Sequence, residues 1–166
     1  MAELKTTMME LLRIKKKIQL AQKGHKLLKE KRDALISEFF KIIDELKKAK
    51  KEARKGLEEA KESLAISTAL MGILKMRIAA ESTPACLDLK TERKTIMGVP
   101  VPKITMQELE TTSQGNAYTE LERLDTTRDL YKNILHNIIK LAELETTAMS
   151  IGNEIKKTKR KVNSLE

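Results

Sequence analysis

Leu28-Lys29-Glu30-Lys31-Arg32-Asp33-Ala34-Leu35-Ile36-Ser37-Glu38-Phe39-Phe40-Lys41-Ile42-Ile43-Asp44-Glu45-Leu46-Lys47-Lys48-Ala49 decides the fold. Leu28, Leu35, Ile42 and Ala49 recur at sevens, and Arg32, Phe39 and Leu46 form the second phase. The two sets share one seam of a helix, as in a coiled coil. Upstream the same two phases run through Leu4, Leu11, Ile14 and Ile18. Downstream they run through Ala53, Gly56, Ala60, Ser63 and Ser67. A heptad pattern kept this long favours a left-handed supercoil over a compact bundle. The expected first helix covers 1–80, with a length on the order of 110 Å at about 1.5 Å per residue. Such a stripe needs a partner face, because propensity alone does not hold it in water.

The seam changes character along its length. Leu, Ile and Phe39 fill the first half, whereas Ala49, Ala53, Gly56, Ala60 and Ser63 fill the second. Small residues let backbones approach closely but bury less apolar area, at about 25 cal/mol per Å². Gly56 and Gly72 are expected to be close-packing sites first and bends second. Thr7 and Glu10 have capping-box spacing, and Ser82-Thr83-Pro84 stops the helix.

Pro84, Pro100 and Pro102 all fall in 81–115. Met97-Gly98-Val99-Pro100-Val101-Pro102 reads as a turn, with short strands expected at Cys86–Leu89 and Thr95–Met97. Thr105 and Glu108 have the spacing of a short helix start. A second helix is expected over 116–166. Its seam is Leu141, Leu144, Ala148, Ile151, Ile155, Val162 and Leu165, and Leu121, Leu124, Tyr131, Ile134, Leu135 and Ile138 continue the apolar side upstream. The fold class that follows is all-α: a long antiparallel two-helix coiled coil with a small irregular or β-hairpin tip. The second helix is shorter. Paired in register from the tip, it leaves the first turns of the first helix facing nothing in this chain, so either another protein covering that end or a shortened form is expected.

Composition narrows the function. The 166 residues hold two Phe, two Tyr and no Trp, a poor stock for a globular core. One Cys, Cys86, makes no internal disulfide and no CxxC pair. No apolar run reaches membrane-spanning length, and no signal-peptide pattern opens the chain. No glycine-rich phosphate loop is present, and His25 and His136 stand apart from any Cys cluster. No catalytic residue, cofactor site or metal site is therefore expected.

The formal charge is +9. Basic runs lie at Arg13, Lys15, Lys16 and Lys17, at Lys47–Lys51, and at Lys156, Lys157, Lys159, Arg160 and Lys161. Such a balance fits nucleic acid, acidic lipid or an acidic protein partner. A nucleic-acid binder normally adds a readout element or stacking aromatics, and neither is found. A free coiled-coil scaffold is the other alternative.

Two stretches carry a family likeness. Gly24-His25-Lys26-Leu27-Leu28-Lys29, followed by Lys31-Arg32-Asp33, resembles the opening helix of the D subunits of V-type and archaeal-type (A-type) rotary ATPases. Thr158-Lys159-Arg160-Lys161-Val162-Asn163-Ser164-Leu165-Glu166 resembles the same family's late helix, and Met97–Ile104 its middle segment. The resemblance implies a central rotor stalk, not itself an enzyme, inside a ring of catalytic A and non-catalytic B subunits. It implies that Arg13, Lys15, Lys16, Lys17, Lys156, Lys157, Arg160 and Lys161 lie towards that ring. It also implies that the tip around Ile96, Met97, Gly98, Val99 and Pro100 associates with the F subunit, and that the stalk stands on a socket subunit, C or d. Neither nucleic acid nor direct membrane insertion is implied; the stalk would be cytoplasmic and peripheral to the membrane. Family members usually continue beyond the late signature, so weakened engagement with the ring and intact binding at the tip are expected.

Overall fold

The computed structural model describes residues 7–82, 87–108 and 119–166. They form α1 (Met8–Met71), α2 (Ile73–Glu81), β1 (Leu87–Ile96), β2 (Val99–Glu108) and α3 (Thr119–Leu165). Two long helices joined through one antiparallel hairpin match the expected class. The chain divides into two compact units, Met1–Lys41 with Met149–Glu166, and Ile42–Ala148.

In the first unit α1 starts at Met8, with the Glu10 and Leu11 amides donating to the Thr7 carbonyl. Its core is Leu35, Ile151, Thr158 and Val162, all essentially closed to solvent. His25 Nε2 lies 3.3 Å from Glu166 Oε1, and a Cβ at Gly152 would meet the Phe39 ring at 3.7 Å. From His25 to Phe39 is fourteen residues forward, and from Glu166 to Gly152 fourteen back. Equal steps in opposite directions define an antiparallel heptad register. Ile14, Leu28, Phe39 and Ile155 are half-buried. Leu11 and Ile18 are 49% and 51% exposed. Both lie on the α1 turns before His25, the residue that faces Glu166.

In the second unit the α1 seam runs through Ile42, Ala49, Ala53, Ala60 and Ser67, all buried, with Leu46 half-buried. On α3 the buried row steps by sevens through Thr127, Ile134 and Ala148, with half-buried Leu141 between them and half-buried Leu144 alongside. Gly56 faces Ile134, whose Cγ1 would sit 3.4 Å from a Cβ there, so the close-packing reading of Gly56 stands. Ser63 faces Thr127, seven residues on along α1 and seven back along α3. Leu135 and Ile138 fall outside that row and are exposed.

Gly72 corrects the expectation of one helix to Ala80. It adopts φ 81° and ψ 154°, and the chain turns by 118° between α1 and α2. That backbone region belongs almost solely to glycine, and a Cβ there would meet nothing within 4 Å. Gly72 is therefore a bend rather than a packing site.

The strands are ten residues each, longer than the sequence suggests, and Thr105–Glu108 is strand rather than helix start. Met97 and Gly98 both have positive φ, 50° and 82°, the signature of a two-residue type I′ turn. Ile96 pairs with Val99 across it. This register points the amides of Val99, Val101, Lys103 and Thr105 towards β1, and those of positions 100, 102 and 104 away from it. Pro100 and Pro102 thus cost the ladder no hydrogen bond. The outward amide of Ile104 donates to Glu143 Oε2 at 3.2 Å. β2 therefore lies against α3 at Glu143.

Candidate interaction surfaces

Charge is partitioned between the two units. Met1–Lys41 and Met149–Glu166 hold sixteen Lys and Arg against seven Asp and Glu, whereas Ile42–Ala148 hold seventeen of each. The whole net charge of +9 therefore belongs to the first unit, and the second is neutral. A field of that kind selects an acidic partner for one unit only.

Within the first unit the basic residues form two groups. Lys156, Lys157, Arg160 and Lys161 are exposed on the α3 turns that run beside α1 between His25 and Leu35. Exposed Lys26 and Lys29 on α1 join them, and Lys31 Nζ reaches Glu154 at 3.9 Å. Arg13, Lys15, Lys16 and Lys17 lie on α1 before His25, also exposed. The structure does not bring the two runs side by side: Lys17 and His25 are about 12 Å apart along the helix axis. Lys15, Lys16 and Lys17 are consecutive, so at about 100° per residue they spread round the helix as a collar rather than along one face. Arg13 approaches Glu10 at 3.8 Å, an exposed i,i+3 pair that contributes little to stability.

The second unit holds a hydroxyl layer that the apolar pattern did not reveal. Thr127 Oγ1 lies 2.8 Å from Ser63 Oγ and 3.1 Å from Ser67 Oγ, with Ser67 and Thr127 buried. Stepping back by sevens from Ala148 reaches Thr127, and stepping on from Ile151 reaches Thr158. Periodicity thus marked both sites, although neither residue is apolar. Beside this layer, Leu64, Met76, Ala79, Leu124, Arg128 and Tyr131 line a groove of about 450 Å³. α2 forms one wall of it and has no buried residue of its own.

In the hairpin turn Met97 and Pro100 are exposed, Ile96 is half-buried and Val99 is buried. Val99 thus anchors the turn while Met97, Gly98 and Pro100 present it to solvent. His136 Nδ1–H donates to the Lys132 carbonyl at 3.0 Å, one turn back on its own helix. His25 pairs with Glu166, an inter-helix contact rather than a ligand set. Among the described residues no group of three or more His, Cys, Asp or Glu is placed to hold a metal. Among them, too, no single helix is long and apolar enough to cross a membrane. What the surface offers is binding: a basic unit, a polar helix interface and an exposed hairpin.

Comparison with known proteins agrees along the whole chain. A family profile for ATP synthase D subunits matches residues 10–166. The D subunit of the A-type ATP synthase of Thermococcus sibiricus is 41% identical over 99% of this chain and 78% of its own length. That of Methanoregula boonei is 39% identical over 99% of this chain and 80% of its own. That of Methanobrevibacter smithii is 39% identical over 96% and 71%.

Proposed function

The chain belongs to the ATP synthase D-subunit family, and from that premise we propose that it is the central rotor-stalk subunit of an A-type rotary ATP synthase. It transmits torque between ATP hydrolysis or synthesis in the A–B ring and ion movement through the membrane ring. It performs no chemistry itself: ATP is turned over at the A–B interfaces. The observation that carries this reading is the family match over residues 10–166. The charge partition supports its orientation. The unit holding the +9, with its collar of Arg13, Lys15, Lys16 and Lys17 and its α3 run of Lys156, Lys157, Arg160 and Lys161, is the one that enters the ring. Charge spread round an axis suits a shaft that meets several acidic loops in turn, where one sticky apolar patch would arrest it. The neutral unit, with the Ile96–Pro100 turn and the α1–α2 bend, holds the F subunit and stands on the C or d socket. The chain works on the cytoplasmic side, peripheral to the membrane.

The test is capture of the tagged chain from its native cells, with partners identified by mass spectrometry. Recovery of the F subunit and the socket protein is expected. Recovery of nucleic acid or of unrelated coiled-coil proteins, with no ATPase component, refutes the rotor reading.

A further inference from the structure

The two edges of the β-hairpin are treated differently. The outer edge of β2 is closed three ways: Pro100 and Pro102 have no amide to offer, and the Ile104 amide is taken by Glu143. These are the devices by which proteins prevent strand addition. The outer edge of β1 has no proline and, among the described residues, no amide taken by a side chain. What it carries is charge, Asp88, Lys90, Glu92, Arg93 and Lys94, and that charge decides which strand it can accept. Its inward positions are even-numbered, because Ile96 pairs with Val99 across the two-residue turn. The backbone groups of Leu87, Leu89, Thr91, Arg93 and Thr95 therefore point outward. β1 is solvent-exposed at every position except its two ends, Leu87 and Ile96, which are half-buried. A ten-residue strand with an open edge is a template for another strand.

The side chains of β1 specify which strand. Let a second β1 run antiparallel with Thr91 opposite Thr91. The outward-pointing odd positions then face one another, as hydrogen-bonded pairing requires. In that register Asp88 stands opposite Lys94, and Lys90 opposite Glu92, each twice by symmetry. Leu89 stands opposite Arg93, whose aliphatic stem can cover it. Within each hairpin Glu92 already faces Lys103, so a row Lys103–Glu92–Lys90 alternates in sign across the junction. Opposite charges directly across strands stabilise a sheet, and like charges destabilise it.

We propose that β1 is a self-complementary strand-addition edge, through which two copies of this chain associate as a two-fold, four-stranded sheet centred on Thr91. The inference is independent of the rotor reading and describes the free chain.

The test is sedimentation equilibrium of the full chain with four variants, each checked for unchanged helix content by circular dichroism. The wild type is expected to shift from the 18.9 kDa monomer towards twice that mass as concentration rises into the millimolar range. Thr91→Pro removes only outward amides, so the hairpin ladder survives while the dimer is lost. Lys90→Glu places two like-charge pairs at the junction and weakens association by about tenfold or more. Glu92→Lys does the same. The triple variant Lys90→Glu/Glu92→Lys/Lys103→Glu restores opposite charges both at the junction and between position 92 and position 103 within each hairpin, and recovers the wild-type constant to within about threefold. A wild type that stays monomeric overturns the proposal. So does a dimer indifferent to Thr91→Pro or to the single charge changes, which would lie on the exposed helix faces instead. Failure of the triple variant to recover the dimer overturns it as well.

Discussion

Replacing Gly72 by Ala tests whether the bend between α1 and α2 is held by backbone or by packing. At φ 81° and ψ 154° an alanine costs about 1–3 kcal/mol, whereas in a continuous helix it gains about 1 kcal/mol over glycine. The swing towards a straight helix is thus about 2–4 kcal/mol. Packing opposes it weakly: α2 has no buried residue, and only Met76 and Ala79 are half-buried. Full burial of a Leu-sized side chain is worth about 1.5–3 kcal/mol, so this partial burial supplies about 1–2 kcal/mol. A Cβ at Gly72 meets nothing within 4 Å, so no clash confuses the reading. The backbone term wins, and Gly72→Ala should fuse α1 with α2. Spin labels at Lys55 and Glu81, both exposed, in a Cys86→Ser background report it. With the 118° turn the two backbone positions are about 23 Å apart, and along one straight helix about 39 Å. A distance distribution unchanged by Gly72→Ala would refute the reasoning, because packing would then hold the bend.

Thr127→Val removes the atom that two serine hydroxyls share, leaving buried Ser67 unsatisfied. Urea unfolding should show a loss of about 1–3 kcal/mol, most of it recovered when Ser63→Ala and Ser67→Ala are added. Ile134→Ala empties the site facing Gly56 and should cost about 2–4 kcal/mol by the same measurement. Leu35→Ala, at a fully buried position, should cost about 2–5 kcal/mol, whereas Leu11→Ala should stay within about 0.5 kcal/mol. Reversing the charge of Lys156, Lys157, Arg160 and Lys161 together takes the first unit from +9 to +1 and should raise the thermal midpoint slightly rather than lower it, because all four are exposed and the change relieves repulsion within the unit. Its effect should appear as weaker, less salt-sensitive binding to an A–B ring in a titration across ionic strength.

The helices were legible because their signal is repetitive. Leu35, Ile42, Ala49, Ala53 and Ala60 sit on the seam that the heptads mark, and each is buried. Ile151 and Val162 do the same on α3. The bend was not legible. A glycine in a helical pattern marks close approach or a break with equal weight, and Gly56 took one course while Gly72 took the other. The difference lies in what stands opposite: Ile134 for Gly56, nothing within 4 Å for Gly72. Long strands were hidden because β1 lacks hydrophobic alternation, being exposed on both faces. Prolines in β2 argued against strand until the turn fixed a register in which neither needs an amide. Among the candidate contact residues, the charge runs were plain in sequence. Their separation along α1 was not, because it depends on the register that sets Glu166 beside His25.

The charge partition also explains why the seam is built differently in the two units. The first unit carries +9 and must hold its helices together against self-repulsion. It does so with large, fully closed side chains, Leu35, Ile151 and Val162, each worth about 1.5–3 kcal/mol of apolar burial. The second unit balances seventeen positive against seventeen negative residues and has no such load. There Ala49, Ala53, Gly56, Ala60 and the Ser63–Thr127–Ser67 hydroxyls share the seam with Ile42 and Ile134, so much of it buries less. A hydroxyl layer has a further consequence. Hydrogen bonds between short side chains fix register by direction, whereas an apolar contact such as Gly56 against Ile134 has no such direction and tolerates a slip more readily. The thin seam therefore needs its polar layer for specificity more than for stability. Replacing all three hydroxyls by apolar groups should leave the second unit nearly as stable but less uniquely paired. Double electron–electron resonance between Lys55 and an exposed α3 site such as Asn133 would show the broadened distances, and a distribution as narrow as the wild type's would refute the assignment.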